Sequence, residues 1–113
     1  GNDNTIASAM PAYTDIAYGK RIPVYCGADS MVADGGFATI GVDYVQLGKQ
    51  TADLVKKIAQ GERPSDLPYE VLSDYARFIN LQATDKLSLT LSEEVLADYK
   101  VLVEKDGTSH FGK

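Results

Sequence analysis

The sequence predicts an α/β domain built on a parallel sheet, and three observations support that class. Short apolar runs that suit buried strands alternate with helix-like stretches along the 113 residues. The first helix-like stretch leads within a few residues into the apolar run 22–26, as in the crossover between parallel strands. Two acids, Asp29 and Asp43, each follow an apolar run closely. Polar residues in that position are typical of the sheet edge at which open α/β domains bind ligands.

Composition and charge narrow the classes of function. Hydrophobic residues make up 44% of the chain and charged residues 24%, which suits one globular domain with a buried core. The net charge is -5 and the basic residues are scattered, which argues against a nucleic-acid partner. No apolar run approaches the roughly 20 residues that a membrane-spanning helix needs. The chain begins with neither Met nor a signal peptide, and we expect a cleaved or trimmed product.

The first part of the chain is predicted to contain two helical and two extended elements. These are a helix over 9–18, a strand over 22–26, a helical turn over 31–34 and a strand over 37–42. Ser8 is the expected N-cap of the first helix, and Gly19 ends it. Its apolar residues recur at helical spacing and are expected to face the sheet: Ala9, Ala12, Tyr13, Ile16 and Ala17.

The remainder of the chain is predicted to alternate between helices and short strands. These elements are a helix over 44–60, strands over 69–72 and 76–79, and helices over 81–86 and 93–104. The first of these helices is the clearest, because its apolar residues line one face and its charged residues the other. Asp43, Asn80 and Ser92 are the expected N-caps. A turn at 73–74 separates the two strands.

The sequence gives little support for catalysis. Cys26 lies inside an apolar run with no histidine beside it, which favours a buried structural thiol over a nucleophile. The single histidine, His110, lies in a terminal run of glycines and small polar residues. The glycine pair at 35–36 lacks the lysine and the further glycines of a phosphate-binding loop. We therefore predict no catalytic residue, no metal ligand and no cofactor.

The two acids allow several interpretations. A cap or turn explains Asp29 as well as a ligand contact does. Asp29 could also be the phosphate acceptor of a signalling domain. Of the two acids upstream, Asp15 lies inside the predicted helix, so only Asp3 is available to complete its magnesium site. With Asn4 and Thr5 at the same edge, Asp29 and Asp43 could instead accept hydrogen bonds from a ligand ammonium or hydroxyls. Four tyrosines are candidates for an aromatic wall, although packing is their more frequent role: Tyr13, Tyr18, Tyr25 and Tyr44.

Several stretches match a known family as a set. They are D-N-T-I-A-S-A at 3–9, I-P-V-Y at 22–25, D-S-M-V-A-D-G-G-F-A-T-I-G-V-D-Y at 29–44, L-G-K-Q-T-A at 47–52, G-E-R-P-S-D-L-P at 61–68 and I-N-L at 79–81. In these stretches the sequence resembles the substrate-binding proteins of bacterial ABC importers, specifically the tryptophan/tyrosine or otherwise uncharacterised group. The resemblance covers nearly the whole chain.

This resemblance implies the fold of a type I periplasmic binding protein, in which two α/β lobes trap a ligand between them. The chain resembles only the C-terminal portion, so we expect a three-layer, parallel-sheet lobe in a fragment that lacks most of the N-terminal lobe. By the same analogy, residues 1–43 carry the cleft loops and residues 44–74 cross to the N-terminal lobe. Residues 75–105 return and form the C-terminal helices, and residues 106–113 form a mobile tail.

The resemblance also implies the ligand contacts and the function. The contacts expected in this lobe are Asp3, Asn4, Thr5, Asp29, Ser30 and Asp43. The implied function is non-enzymatic capture of a small solute for the permease of an ABC importer. The expected ligand is an α-amino acid, aromatic ones included, whose ammonium is held by Asp29 or Asp43. The alternatives are a sugar or nucleoside binder of the same fold, or a flavodoxin-like signalling or enzymatic domain that uses Asp29.

Two further expectations concern location and assembly. By the same resemblance, the parent protein is expected outside the cytoplasm, in the periplasm or as a membrane-anchored lipoprotein. The helix over 44–60 would pack on the missing lobe, so its apolar stripe would have no partner in this chain. We therefore expect the fragment to self-associate.

Overall fold

The computed structural model describes residues 3–71 and 75–112 and contains six α-helices and three strands in that part of the chain. The elements in chain order are α1 (Asn4–Ser8), α2 (Met10–Gly19), α3 (Asp29–Ala33), β1 (Ala38–Gly41), α4 (Tyr44–Ala59), β2 (Ala76–Asn80), α5 (Leu81–Lys86), α6 (Glu93–Ala97) and β3 (Lys100–Val103). A short 3-10 turn, Pro64–Asp66, lies between α4 and β2.

The sheet has the order β1-β2-β3. β1 and β2 are antiparallel, with Ala38 opposite Ile79, and β2 and β3 are parallel, with Ile79 opposite Val101. At the free edge of β1, Tyr25 forms a single parallel bridge with Ala38. The α/β class is therefore confirmed, and its small sheet combines parallel and antiparallel pairs. The edge at which β1 ends is also the edge at which β2 and β3 begin.

Helices cover both faces of this sheet. Ile79 belongs to one cluster of buried side chains, with residues of α2 and α5, and Phe78 belongs to a second cluster with Val32 of α3. Neighbouring residues in a strand point to opposite faces, so the two clusters lie on opposite sides of the sheet. Asn80, at the end of β2, joins the layers because its side-chain amide donates to the Val32 carbonyl at 3.0 Å.

The first predicted helix is two helices in the structure. Asp3 caps α1, since its Oδ1 accepts the Thr5 N–H at 2.8 Å. The predicted cap at Ser8 is therefore wrong, and the Ser8 hydroxyl donates to the Asn4 carbonyl within α1. α2 ends at Gly19 as predicted, but its buried residues are different ones: Met10, Thr14 and Tyr18. The predicted face is therefore wrong: its two large residues, Tyr13 and Ile16, are 56% and 69% exposed.

The segment before α3 is less strand-like than predicted. Within 22–26 only Val24 is buried, while Ile22 is 54% exposed and Tyr25 is 70% exposed. The segment pairs with β1 on one side only, so the predicted strand is reduced to one bridge. α3 then begins at Asp29, and Ala28 is in the N-cap position. The interpretation of Asp29 as an N-cap is therefore wrong.

The long helix α4 confirms its prediction closely. Asp43 is its N-cap and accepts the N–H groups of Val45 at 3.0 Å and Gln46 at 3.1 Å. None of its residues is buried. Its apolar stripe includes Leu47, 36% exposed, and Val55, 59% exposed. The stripe therefore has no covering partner among the described residues.

The second half follows the prediction as far as α6. β2 and α5 form as predicted, with the Asn80 side chain accepting the Ala83 N–H at 3.1 Å. Residues 69–71 form no strand, and the rest of that predicted strand and turn, 72–74, lies outside the described residues. Ser92 caps α6, but this helix ends at Ala97, and the predicted continuation to residue 104 is wrong. Lys100–Val103 pairs with β2 instead, because β-branched residues and two buried side chains there suit a strand.

The tail that we predicted to be mobile from residue 106 folds back on β3. The Glu104 N–H donates to the Thr108 carbonyl at 2.9 Å, and the His110 N–H donates to the Leu102 carbonyl at 2.7 Å. Gly107 has a φ of 90°, the left-handed conformation that glycine tolerates in a turn. The tail is therefore hydrogen-bonded to the sheet as far as His110.

Candidate functional site

Asp29 and Asp43 lie at the same edge of the sheet. The segment 22–26 and β1 run in the same direction, and each is followed at once by a helix that begins beside one of the acids. Parallel segments end at a common edge, so the two carboxylates are brought together there. Both acids line one cavity of about 300 Å³.

Asp43 is held by its neighbours on both carboxylate oxygens. Its Oδ1 accepts the first N–H groups of α4, and its Oδ2 lies 2.5 Å from Lys100 Nζ. The hydrogen bond from Lys100 is the largest cause that lowers the pKa of the Asp43 carboxyl, and the backbone N–H of Gln46 is the next. Asp43 is therefore an ionised carboxylate that connects α4 to the start of β3.

Asp29 is held less tightly. Its Oδ1 accepts the N–H of Ser30 at 2.8 Å, and the residue is half-buried in the first turn of α3. No described residue donates a hydrogen bond to its second carboxylate oxygen, Oδ2. Asp29 therefore offers a free acceptor to a ligand in this cavity, whereas Asp43 is already engaged.

Two lysines also line this cavity, and the sequence analysis missed them. The additional polar side chains in the wall are Gln46, Lys49, Lys100 and His110. The sequence pattern predicted that Lys100 lies inside a helix, so nothing in the sequence indicated that it would lie near Asp43. Only the strand β3 places it at the edge where β1 ends. The cavity therefore presents carboxylates and ammonium groups together.

The other predicted contacts lie elsewhere. Asp3 caps α1, and the N–H of Thr5 is the first cause that lowers the pKa of its carboxyl. Thr5 lines a second, larger cavity of about 530 Å³ between α1, α2 and the segment 23–26, and Asp3 and Asn4 line neither cavity. Ser30 follows Asp29 in α3 but is not among the residues that line the acidic cavity. The structure thus brings together Asp29 and Asp43, and it does not bring the α1 residues to them.

The tyrosines and the cysteine divide between packing and cavity walls. Tyr13 and Tyr25 line the larger cavity and not the one that holds Asp29 and Asp43, so they form no aromatic wall beside the two acids. Tyr18 is buried and its hydroxyl donates to the Gly35 carbonyl at 2.5 Å, so it is a core residue. Burial raises the pKa of the Cys26 thiol, which makes a nucleophilic thiolate unfavourable. Tyr44 is exposed at the start of α4.

Within residues 3–71 and 75–112, no group of three or more His, Cys, Asp or Glu side chains has an arrangement that could hold a metal ion. None of the helices in these ranges has the length and hydrophobicity of a membrane-spanning segment.

A layered α/β domain with charged side chains gathered where its strands end has the architecture in which such domains commonly bind small molecules. Its family is shown by comparison with known proteins. The family model described as ABC transporter substrate binding protein matches residues 1–102, and the chain belongs to this family.

Individual relatives agree with this assignment. A tyrosine-binding protein of Clostridioides difficile is 31% identical over 91 residues, which are 78% of this chain and 26% of that protein. The ABC domain of Streptococcus pneumoniae, solved in complex with L-Trp, is 32% identical with a TM-score of 0.67, and the match covers 89% of this chain and 34% of that chain. The ligand-free, open structure of a substrate-binding protein with adhesive properties from Clostridium difficile is 27% identical with a TM-score of 0.69, covering 88% and 33%. The chain thus spans about a quarter to a third of the relatives it matches.

Proposed function

We propose that this chain supplies one side of the ligand cleft in the solute-binding component of an ABC importer, and that the ligand is an α-amino acid. The observation that carries the proposal is that Asp29 and Asp43 line one cavity together with Lys49 and Lys100. A zwitterion needs both signs of charge within a few ångströms, and this cavity offers both.

The two acids are assigned different roles. Asp29 has a free carboxylate oxygen and receives the ligand ammonium in a charge-assisted hydrogen bond. Asp43 is committed to the cap of α4 and to Lys100, so it fixes the geometry of the cavity and adds negative potential. Lys49 lies on the same cavity wall and is a candidate donor for the ligand carboxylate, which the second lobe would also contact.

Capture between two lobes is the mechanism that we assign to the whole protein. The acidic cavity has about 300 Å³, at the lower end of the range for ligand sites, and lies on the surface of one domain. In the relatives, about two thirds to three quarters of the chain lies outside the matched region. Residues 44–74 are proposed to cross to the second lobe and residues 75–105 to return from it. The exposed stripe of α4 supports this division, since an amphipathic helix of 16 residues normally covers its apolar face.

An aromatic amino acid is the first candidate because two relatives are described by tyrosine and by L-Trp. A sugar or nucleoside, which would use the same acids as hydroxyl acceptors, is the second candidate. The whole protein is proposed to act without catalysis, outside the cytoplasm, either in the periplasm or as a membrane-anchored lipoprotein, and to deliver its ligand to an ABC permease. Membership of the ABC transporter substrate-binding family supports these proposals.

A thermal-shift titration of the full-length gene product tests this function. Tyrosine, tryptophan, other amino acids and a panel of sugars and nucleosides are added separately, and a ligand of the native state raises the melting temperature. We expect tyrosine or tryptophan to give the largest shift. Stabilisation by sugars or nucleosides alone would move the assignment to the second candidate, and a flat response to every compound would refute a solute-binding role.

A matched pair of variants tests the site. Asp29→Asn removes the charge that would hold the ammonium. We expect the affinity for the amino acid, obtained from the titration, to fall by roughly tenfold or more. Asp34→Asn is the control, because Asp34 is exposed at the end of the same helix and is not among the residues that line the cavity. Equal affinities for the two variants would exclude Asp29 as the ammonium contact while leaving the solute-binding function standing.

A further inference from the structure

The C-terminal turn after β3 forms one wall of the acidic cavity. His110 and Gly112 both line this cavity. The main chain fixes the position of His110, because its N–H donates to the Leu102 carbonyl at 2.7 Å, and Val103 forms an antiparallel bridge with Ser109 beside it. His110 is therefore held at the cavity wall by pairing of the tail with β3.

The imidazole ring of His110 is oriented by Glu104. Its Nε2 lies 3.1 Å from Oε1 of the Glu104 carboxylate. An ionised carboxylate accepts hydrogen bonds and cannot donate them, so Nε2 carries the hydrogen atom. In the neutral ring the other nitrogen, Nδ1, then has a free lone pair and is an acceptor. No described residue forms a hydrogen bond with this nitrogen.

The free nitrogen of His110 is the one left for a ligand in the cavity. Glu104, which engages Nε2, is not among the residues that line the cavity, whereas His110 is. The His110 side chain is 46% exposed, so a ligand can reach the ring. The cavity thus has two acceptors without a partner among the described residues: Nδ1 of His110 and Oδ2 of Asp29.

We propose that His110 is a second contact for the ligand ammonium and makes its capture pH-dependent, an inference that rests on the function proposed above. An α-ammonium has three N–H donors, and Oδ2 of Asp29 accepts one of them. The cavity has only about 300 Å³, so one ligand that fills it reaches both residues. Nδ1 of neutral His110 accepts a second N–H. A pair of acceptors suits an ammonium, because that group donates hydrogen bonds and cannot accept them.

Protonation of His110 removes this contact. Histidine is the side chain that ordinarily changes its charge between about pH 5 and pH 8. The protonated ring donates from Nδ1 and places a positive charge beside the ammonium. The affinity should therefore be higher above this pH range than below it. The other charged groups around the ring are Glu104 and Asp106 in the tail turn, Asp29 on α3, Asp43 before α4, Lys49 on α4 and Lys100 on β3.

The test measures the affinity of the full-length gene product for tyrosine and for tryptophan at about pH 5.5 and about pH 8, by thermal-shift titration. We expect the wild type to bind roughly tenfold more tightly at the higher pH. His110→Ala should lose that gain and bind with similar affinity at the two pH values. His110→Lys carries a positive charge at both and should bind more weakly than His110→Ala. Thr108→Ala is the control and should behave as the wild type, because Thr108 is exposed in the same tail and does not line the cavity.

Two results of the titration would overturn the contact. Equal affinities of the wild type and His110→Ala at both pH values would do so while leaving the solute-binding function standing. If neither amino acid stabilises the wild type, the contact is overturned as well, and the sugar and nucleoside panel then shows whether the solute-binding function also fails.

The tautomer of His110 has a test that needs no ligand. The 113-residue chain contains one histidine, so ¹⁵N NMR of its imidazole reports on His110 alone. We expect the neutral ring to carry its hydrogen on Nε2, and Glu104→Ala to make the two tautomers more nearly equal. A neutral ring with its hydrogen on Nδ1 would have no acceptor for the ammonium and would overturn the proposal.

Discussion

The close packing at Gly36 gives a quantitative prediction for the segment 26–36, which contains Asp29. A Cβ at this position would lie 2.1 Å from the Cys26 sulfur and 2.9 Å from the Met31 carbonyl oxygen. Gly36 is buried, and it is not among the glycines with positive φ. Alanine can therefore adopt its backbone conformation, and the whole cost of Gly36→Ala is steric.

The loss of stability expected for Gly36→Ala depends on which atoms must move to make room for the methyl group. Overpacking a core by a methyl group costs about 1–3 kcal/mol. Here both a side chain and a backbone carbonyl are in the way, so we expect the upper part of that range, about 2–3 kcal/mol in the free energy of unfolding. Urea unfolding followed by circular dichroism measures it, and the corresponding fall in melting temperature is roughly 10 °C for a domain of this size.

Two further variants show whether the contact is the one described. Cys26→Ala combined with Gly36→Ala removes the sulfur but keeps the carbonyl contact, so the double variant should recover part of the loss, with a coupling energy of about 1 kcal/mol. Gly19→Ala is the control, because a Cβ there meets nothing within 4 Å. A Gly36→Ala chain within about 0.5 kcal/mol of the wild type would refute the packing described for this loop.

Three other predictions address the pH response, the core and assembly. The hydrogen bond from Lys100 lowers the pKa of the Asp43 carboxyl in the folded state, so its contribution to stability is present at neutral pH and is lost as the pH falls through the folded pKa. Asp43→Asn keeps the cap, and its urea midpoint should lie below that of the wild type at pH 7 and approach it as the pH falls through the folded pKa. A difference in midpoint that does not change with pH would contradict the ion pair with Lys100. Tyr18→Phe removes the hydrogen bond to a carbonyl and should cost about 1 kcal/mol in the same assay, whereas no loss would contradict that bond. The exposed stripe of α4 should make the 113-residue chain self-associate, and light scattering should show a mass that falls on Leu47→Lys together with Val55→Lys; a monomer at millimolar concentration would exclude this.

Local signals predicted several elements correctly, although the caps expected at Ser8 and Asp29 were wrong. The caps at Asp43 and Asn80 were found because each side chain bonds to N–H groups only two or three residues away. The error at Lys100–Val103 has the opposite origin. Residues 95–103 have helical spacing of apolar side chains, and their strand conformation depends on pairing with β2, some twenty residues earlier in the chain.

The candidate site was predictable only in part for the same reason. Two acids after two apolar runs could be placed at a common sheet edge from the sequence, and the structure places both in one cavity. The lysine partner of Asp43 could not be found, since 57 positions separate the two residues and only the sheet brings them together. Asp3 was grouped with the acids by family resemblance, and Asn4 was also expected at the same edge of the sheet. In the structure Asp3 caps its own helix, and neither residue lines the acidic cavity.

The arrangement of Asp43 shows how the site and the long helix are connected. One carboxylate oxygen fixes the start of α4 and the other bonds Lys100 at the start of β3, so the helix is held to the sheet at the cavity wall. α4 makes few other contacts with the domain, since none of its residues is buried. Changes in charge within the cavity therefore act on a polar link that holds α4 to the sheet. If α4 leads to a second lobe, as proposed, then an ammonium group bound at Asp29 adds positive charge beside Asp43 and competes with Lys100, which couples ligand binding to the orientation of that helix.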